Sequence, residues 1–598
     1  MRAFVYNTYR TLLNSWVKTK VHGSSQLKSE LRDDIPAFYV LEYRSYSDLL
    51  VVDQICKDNS LPSPYLHSKI EQLAHKRGFF VIKRNEGRVI KRSSSRQYSD
   101  SAVELSQLIC NDQLQDVQLI PVSVYWGYHP DKQRSLKSLL FGSGGTLVGP
   151  FRKFLIILIN GRNVFVQFSQ PVSVRALLNA EMNAERVQRK LFRVLRVHFR
   201  QVRTSILGPE LSHRKTMINT LIDAPLVRQA IELEAKDQNK HLAEIRKQAK
   251  KNALEICSDL TYPMVKIFEK GLSVLWNRMY SGLEVNNIDR VKEVASGHAI
   301  VYVPCHRSHV DYLLLSYLLY HQGLAIPHIA AGVNLNMPVI GLLLRKVGAF
   351  YMRRSFKSQR LYTAVFNEYM GMVYSRGHSM EYFVEGGRSR SGRTLPAKTG
   401  LISMTARTYL REQKPLVFVP VYIGYEKIIE VTTYQKELEG AEKKKESVFG
   451  VFSTLKSLKG PFGKVSVNFA EPIVMSQFLD DYKPDWKSTL GADERQGWLT
   501  QAVNQIGEQV VTRINSAAAV NPVNLVSLLL LCSSQRKALV SQLEAELRIC
   551  LMICEAAPYS SSISVTDLNE KGIVSYVEEL GLLERTDSVV GLLKPQHR

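Results

Sequence analysis

A histidine stands five residues ahead of an aspartate in Tyr302-Val-Pro-Cys-His306-Arg-Ser-His-Val-Asp311, directly after a β-like run. Inside one helix that spacing puts the two side chains on different faces, since each residue turns the chain by about 100°. They meet only if Pro304–Ser308 is a turn and Asp311 lies in the first turn of a helix continuing through Tyr-Leu-Leu-Leu-Ser-Tyr. A carboxylate there also suits the positive end of the helix dipole. The product is an imidazole oriented by a carboxylate, which is what a general base requires. A capped helix with a packed histidine fits the same spacing, so the rest of the chain must decide.

The second chemical segment is Glu385-Gly386-Gly387-Arg388-Ser389-Arg-Ser-Gly-Arg393, after strand-like Tyr382-Phe-Val384. Glycines permit positive φ and close approach of the backbone to a ligand. Arginines present planar paired donors to phosphate. The Gly-Lys-Ser/Thr ending of a nucleotide-binding loop is absent. Arg353 and Arg354 close a strand-like run; neighbours on a strand point to opposite faces, so one of the two reaches any given pocket. Val419-Pro420-Val-Tyr-Ile423 reads as a strand ending near the same place. Together these describe a base that activates a hydroxyl while arginines hold a phosphate on the same molecule. No Gly-x-Ser-x-Gly elbow exists, and Ser308 is too near His306 in sequence to be an attractive nucleophile, so the acceptor hydroxyl itself would attack.

The elements that must position these residues form a repeat. Tyr39-Val-Leu-Glu-Tyr43-Arg-Ser-Tyr-Ser-Asp48 echoes Tyr302–Asp311, and Gly78-Phe-Phe-Val-Ile-Lys-Arg84 echoes Gly348–Arg354. Ile120-Pro121-Val-Ser-Val echoes Val419–Ile423, and Val166-Gln-Phe-Ser-Gln-Pro171 echoes Val467–Pro472. The shared order predicts two copies of one α/β unit. The first copy has Tyr43 where the second has His306, and a phenol with pKa near 10 is a poor base. It is also shorter where Glu385–Arg393 would fall, so it is expected to be catalytically silent. The alternation of short apolar runs (Ala299–Val303, Met380–Val384, Leu416–Tyr422, Val465–Phe469) with helical ones (Tyr312–Tyr320, Leu361–Ser375, Lys398–Leu410) predicts a mostly parallel sheet covered by helices. Helices are expected over Ala224–Ile256, Tyr262–Tyr280, Gly497–Ile514 and Val523–Ala556. The resulting division is 1–200, a degenerate α/β domain with an N-terminal amphipathic helix; 201–290, a helical connector; 291–480, the catalytic domain; and 481–598, a helical C-terminal region.

A chain of 598 residues exceeds a single core, and a formal charge of +24 asks for a polyanionic partner. Nucleic acid is disfavoured, because no zinc finger, helix-turn-helix or RNP-like motif is present. Seven cysteines form no Cys-x-x-Cys pair, which predicts neither a metal centre nor a disulfide framework. No cleavable signal and no 18-residue apolar stretch appear. Three segments have the cationic, apolar character of interfacial helices: Arg2–Lys20, Met337–Phe350 and Leu525–Leu531.

The four chemical segments resemble, in sequence and order, the motifs of the glycerolipid acyltransferase superfamily, most closely its bacterial membrane-associated glycerol-3-phosphate 1-O-acyltransferases. Cys305-His-Arg-Ser-His-Val-Asp311, Phe383-Val-Glu-Gly-Gly-Arg-Ser-Arg390 and Pro327-His-Ile-Ala-Ala-Gly-Val-Asn-Leu-Asn336 carry the likeness, which covers nearly the whole chain. It implies transfer of a fatty acyl group from an acyl-carrier-protein or coenzyme A thioester to the first hydroxyl of sn-glycerol 3-phosphate, with no cofactor. His306 would be the base and Asp311 its partner. Arg353, Arg354, Glu385, Gly386, Gly387, Arg388 and Ser389 would hold the substrate, and Pro420 belongs to the fourth motif. Acyl carrier protein and an anionic membrane surface become expected partners, at the cytoplasmic face of a bacterial inner membrane. Dihydroxyacetone phosphate or a lysophospholipid remains an alternative acceptor, and a non-catalytic membrane or nucleic-acid-binding protein a distant second class. Relatives run past residue 598 in a further helical region.

Overall fold

A computed structural model describes residues 10–11, 13, 15–32, 34–43, 45–66, 70, 77–86, 92–94, 100–111, 114–126, 157–158, 161–162, 164–177, 184–208, 214–355, 359–438, 462–489 and 497–592. Phe4, Val5, Tyr9 and Leu12 of the first interfacial segment lie outside them. The chain divides into two compact units, Met1–Leu211 and Ser212–Arg598.

In the first unit the strands are β1 (Thr19–His22), β2 (Ala37–Tyr43), β3 (Phe79–Glu86), β4 (Arg92–Ser94), β5 (Gln118–Trp126), β6 (Val164–Phe168) and β7 (Val172–Ser173). They form one sheet in the order β1-β6-β5-β2-β3-β4, with β7 on β5. Because successive strand residues face opposite ways, β2 feeds two cores. Tyr39 packs with Leu50, Val51 and Ile55 of helix α1 (Tyr46–Asp58). Phe38 and Val40 pack with Leu191, Phe192 and Leu195 of helix α2 (Ala184–Leu207). Burial on both faces explains why β2 is a nearly continuous apolar run.

The second unit repeats this plan. Its strands are β8 (Gly282–Asn286), β9 (Ala299–Pro304), β10 (His328–Gly332), β11 (Ala349–Met352), β12 (Met380–Glu381), β13 (Leu416–Tyr425), β14 (Lys464–Phe469) and β15 (Ile473–Val474). Their order is β11-β10-β12-β9-β13-β14-β8, with β15 antiparallel on β13. Register confirms the duplication residue by residue. Tyr39 pairs with Ile120 and Tyr302 with Val419; Val122 pairs with Phe168 and Val421 with Phe469. The amides of Ser169 and Ala470 each donate to the matching proline carbonyl, Pro121 or Pro420, at 3.0 Å.

One echo needs correction. By sheet position β3, beside β2, corresponds to β12, beside β9, and not to the edge strand β11 that lies within Gly348–Arg354. A glycine followed by apolar residues fits any buried strand, so that short likeness carried no positional information.

Among the helices of the α/β part of this unit are α3 (Pro225–Gln238), α4 (Leu242–Ile256), α5 (Tyr262–Met279), α6 (Asp311–His321), α7 (Ile340–Lys346), α8 (Arg360–Ser375), α9 (Gly400–Glu412) and α10 (Val431–Leu438). The predicted run Ala224–Ile256 is two helices, because Asn239 takes φ +51° and ends α3. Beyond it, α11 (Gly497–Ser516), α12 (Pro522–Cys532), α13 (Val540–Ala556) and α14 (Glu570–Glu579) dominate. Val523–Ala556 is likewise divided, by Gln535 and Arg536 at positive φ and by a short strand, Lys537–Leu539, of a three-stranded antiparallel sheet.

Candidate active site

Strand β9 ends at Pro304 and α6 begins at Asp311, so the intervening loop carries His306 into the mouth of the sheet. Asp311 is fully buried, and four donors converge on it. Its Oδ2 accepts from the His306 ring Nδ1 (2.9 Å) and from the backbone amides of Arg307 (2.7 Å) and Ser308 (2.9 Å). Its Oδ1 accepts from the Tyr425 hydroxyl at 2.7 Å. With Nδ1 committed as donor, Nε2 of the neutral ring is left as the proton acceptor. The ring stacks on Phe383, centroids 4.1 Å apart, and keeps 18 % of its side chain accessible.

The glycine-arginine loop is tied to this histidine through its backbone. Glu385 is buried and spends both oxygens on amides, Oε1 on His306 N and Oε2 on Leu395 N, each at 2.8 Å. Ser389 N donates to the His306 carbonyl at 2.9 Å. Glu385 therefore shapes the two loops. Gly386 sits at φ +63°, where a Cβ would lie 2.6 Å from Lys398 Cδ; Gly387 has open space at that position. Arg388 is buried, its Nη1 donating to the Tyr434 hydroxyl (2.6 Å) and lying 3.9 Å from Glu430. Tyr434 in turn donates to the Arg307 carbonyl at 2.9 Å.

Neither nearby nucleophile is poised to attack. The Ser308 hydroxyl donates to both Glu430 oxygens, at 2.9 and 3.0 Å. Cys305 is buried between β9 and β13, and burial pushes its thiol up to about 12. At neutral pH it is not a thiolate.

Two donors near the histidine are left open. Arg307 and Ser389 are both buried, yet Arg307 Nη1 and Ser389 Oγ have no hydrogen-bond partner among the described residues. A buried cationic N–H without an acceptor is costly, and an anionic ligand would satisfy it. Sequence reasoning singled out Ser389 but passed over Arg307, which is adjacent to the base and chemically suited to phosphate.

Arg353 and Arg354 lie beyond β11, which ends at Met352, so the alternation expected of a strand does not govern them. Arg353 is bound by both oxygens of Glu255 at 2.9 and 2.8 Å and lies over the Tyr362 ring, so it is committed to α4 and α8. Arg354 is exposed and has no polar partner among the described residues. Pro420 lies on β13 opposite Val303, contributing to the wall behind the loop. Tyr425, Glu430 and Tyr434 were not found from sequence. The one signal available was that Tyr425 falls five residues after Pro420, as Trp126 falls five after Pro121. No group of three or more metal-ligating side chains occurs among the described residues.

Comparison with known proteins was consistent along the chain. A family model described as the glycerol-3-phosphate acyltransferase PlsB N-terminal domain matches residues 5–208, one described as acyltransferase matches 282–424, and one described as the glycerol-3-phosphate acyltransferase C-terminal region matches 434–595. A glycerol-3-phosphate acyltransferase of Pseudomonas aeruginosa is 45% identical over 99% of this chain and 71% of its own length. That of Pseudomonas fluorescens SBW25 is 45% identical over 99% of this chain and 70% of its own. The solved PlsC of Thermotoga maritima, a 1-acyl-sn-glycerophosphate acyltransferase, covers 42% of this chain and 79% of that one at 17% identity and a TM-score of 0.25, too distant to carry geometry across. On the strength of the full-length relatives, this chain belongs to the glycerol-3-phosphate acyltransferase family and is an acyltransferase.

Proposed function

We propose that the site moves a fatty acyl group from an acyl-carrier-protein or coenzyme A thioester to the first hydroxyl of sn-glycerol 3-phosphate, giving 1-acyl-sn-glycerol 3-phosphate. The observation that carries this reading is the His306–Asp311 contact at 2.9 Å, in a site whose serine and cysteine are engaged elsewhere. His306 Nε2 takes the hydroxyl proton as that oxygen attacks the thioester carbonyl. Collapse of the tetrahedral adduct breaks the C–S bond, and the imidazolium returns the proton to the departing thiolate. The balance closes without a cofactor.

Arg307 Nη1 and Ser389 Oγ, both buried and unpartnered among the described residues, are suited to the phosphate, with Arg388 and Glu385 holding the loop that presents Ser389. For the acyl chain, a small apolar groove lies along one face of α6 (Leu313, Ser316, Tyr317, Tyr320) against Val265, Phe268 and Leu272 of α5. Among the described residues no helix is long and apolar enough to cross a membrane. Peripheral attachment to the cytoplasmic face of a bacterial inner membrane is supported by exposed Ile267 and Val274 on α5 and Val339 and Leu342 by α7, flanked by Lys270 and Lys346. The net charge favours an anionic bilayer and an acidic carrier protein alike.

The test is thiol release from palmitoyl-coenzyme A in the presence of vesicles. It should require glycerol 3-phosphate and yield the 1-acyl product on positional analysis. Release supported equally by a lysophospholipid would move the acceptor assignment.

A further inference from the structure

We infer that Tyr425 is a positioning residue for the His306–Asp311 pair, its hydroxyl pinning Asp311 so that Oδ2 holds the imidazole in one tautomer and one orientation. Tyr425 is the last residue of β13, 114 residues from the aspartate it reaches. The three donors on Oδ2 include two amides of the very loop being positioned, so they move with it. The bond to Oδ1 alone anchors the carboxylate to a sheet strand. The Tyr425 ring is itself braced by Tyr280, centroids 6.0 Å apart, which packs on Trp276 at 5.9 Å.

The first unit supplies an independent observation. Asp48 stands at the position of Asp311, and Trp126, at the end of β5, stands at the position of Tyr425. The Trp126 indole N–H donates to Asp48 Oδ1 at 2.7 Å, the same length and the same acceptor atom as in the second unit. The residue differs while the donor, its strand position and its acceptor are kept. In the first unit Tyr43 stands where His306 does, so the bond there orients no imidazole at that position. In the second it also orients a base. The two roles are therefore separable within one chain.

This inference rests on the proposed base catalysis by His306. Tyr425→Phe keeps the ring against Tyr280 and removes only the donor. It should lower kcat by about 10–100-fold, the range for loss of a group that orients a site ligand through a hydrogen bond, with KM for glycerol 3-phosphate and for the thioester within about twofold. Trp126→Phe, the matched deletion in the first unit, should lower the melting temperature and leave kcat within about twofold. In an Asp311→Asn background, Tyr425→Phe should cost less than about threefold, because the residue acts through Asp311. A wild-type kcat for Tyr425→Phe, or an undiminished loss in the Asp311→Asn background, overturns the inference. Full activity of His306→Ala would instead overturn the base-catalysis reading and leave the Tyr425 result to be explained on other grounds.

Discussion

The two units share a sheet plan but carry unequal chemistry. In the second, His306, Asp311 and Tyr425 are linked through hydrogen bonds of 2.9 and 2.7 Å. In the first, Tyr43, Asp48 and Trp126 occupy the same positions, and the strand donor is joined to the aspartate at the same length. The aspartate, its strand donor and the strand registers around Pro121 and Pro420 are retained in both. The histidine and the loop running from Glu385 to Arg393 occur in the second alone. The parts kept in both units are those the fold needs to close the strand–loop–helix corner. The parts present once are those a hydroxyl-activating site needs.

Substitutions that act on one unit and not the other break or sharpen this contrast. The largest effect belongs to His306→Ala, which should lower kcat by about 10²–10⁴-fold with little change in melting temperature; Tyr43→Phe, assayed alongside, should leave the rate unaltered. Next comes Glu385→Ala. It removes the acceptor of the partly buried amides of His306 and Leu395, so a loss of about 1 kcal/mol per unpaired group is expected in denaturant unfolding, together with reduced kcat.

A third test concerns β12, which lies beside β9 where β3 lies beside β2. Glu381 on β12 is fully buried and neither oxygen has a partner among the described residues. Burial, and secondarily the charge of Asp311, hold its carboxyl well above the usual carboxylate range. A raised folded-state pKa means that the native chain binds the extra proton. Stability is then greatest below the ordinary carboxylate pKa and declines as pH rises from there through the folded-state value. Glu381→Gln cannot ionise, so its melting temperature should exceed that of the parent by a margin that widens from pH 5 to pH 8; a constant margin would contradict the assignment. The smallest effect is expected from Tyr43→His in a His306→Ala background, where acyl transfer should stay absent, since the first unit has no counterpart of the glycine-arginine loop.

Much of the site was legible because it is local. The five-residue spacing of His306 and Asp311, bracketed by Pro304 and an apolar helix, implied a loop that turns one side chain onto the other, and β9 and α6 begin and end accordingly. Glu385 was legible as important and not as a backbone tie, because its partners, His306 N and Leu395 N, depend on how two loops meet. Arg353 and Arg354 could not be ranked from sequence: the strand stops at Met352, short of both, and the distant Glu255 decides that Arg353 is the one already engaged. Tyr425, Glu430 and Tyr434 were hidden because each reaches a group of the His306–Asp311 loop 114 to 127 residues away in sequence.

By itself, the sequence determined the α/β alternation, the duplication, the histidine–aspartate pair and the unit that keeps it, since these follow from periodicity, short spacings and matched order along one chain. Only the tertiary structure decided which strand stands beside which, which arginine is already spent, and which donor anchors Asp311. Those are matters of distance between segments far apart in sequence, and hydrophobic burial of both sheet faces, with no pattern of its own at Tyr425, brings them within hydrogen-bond reach.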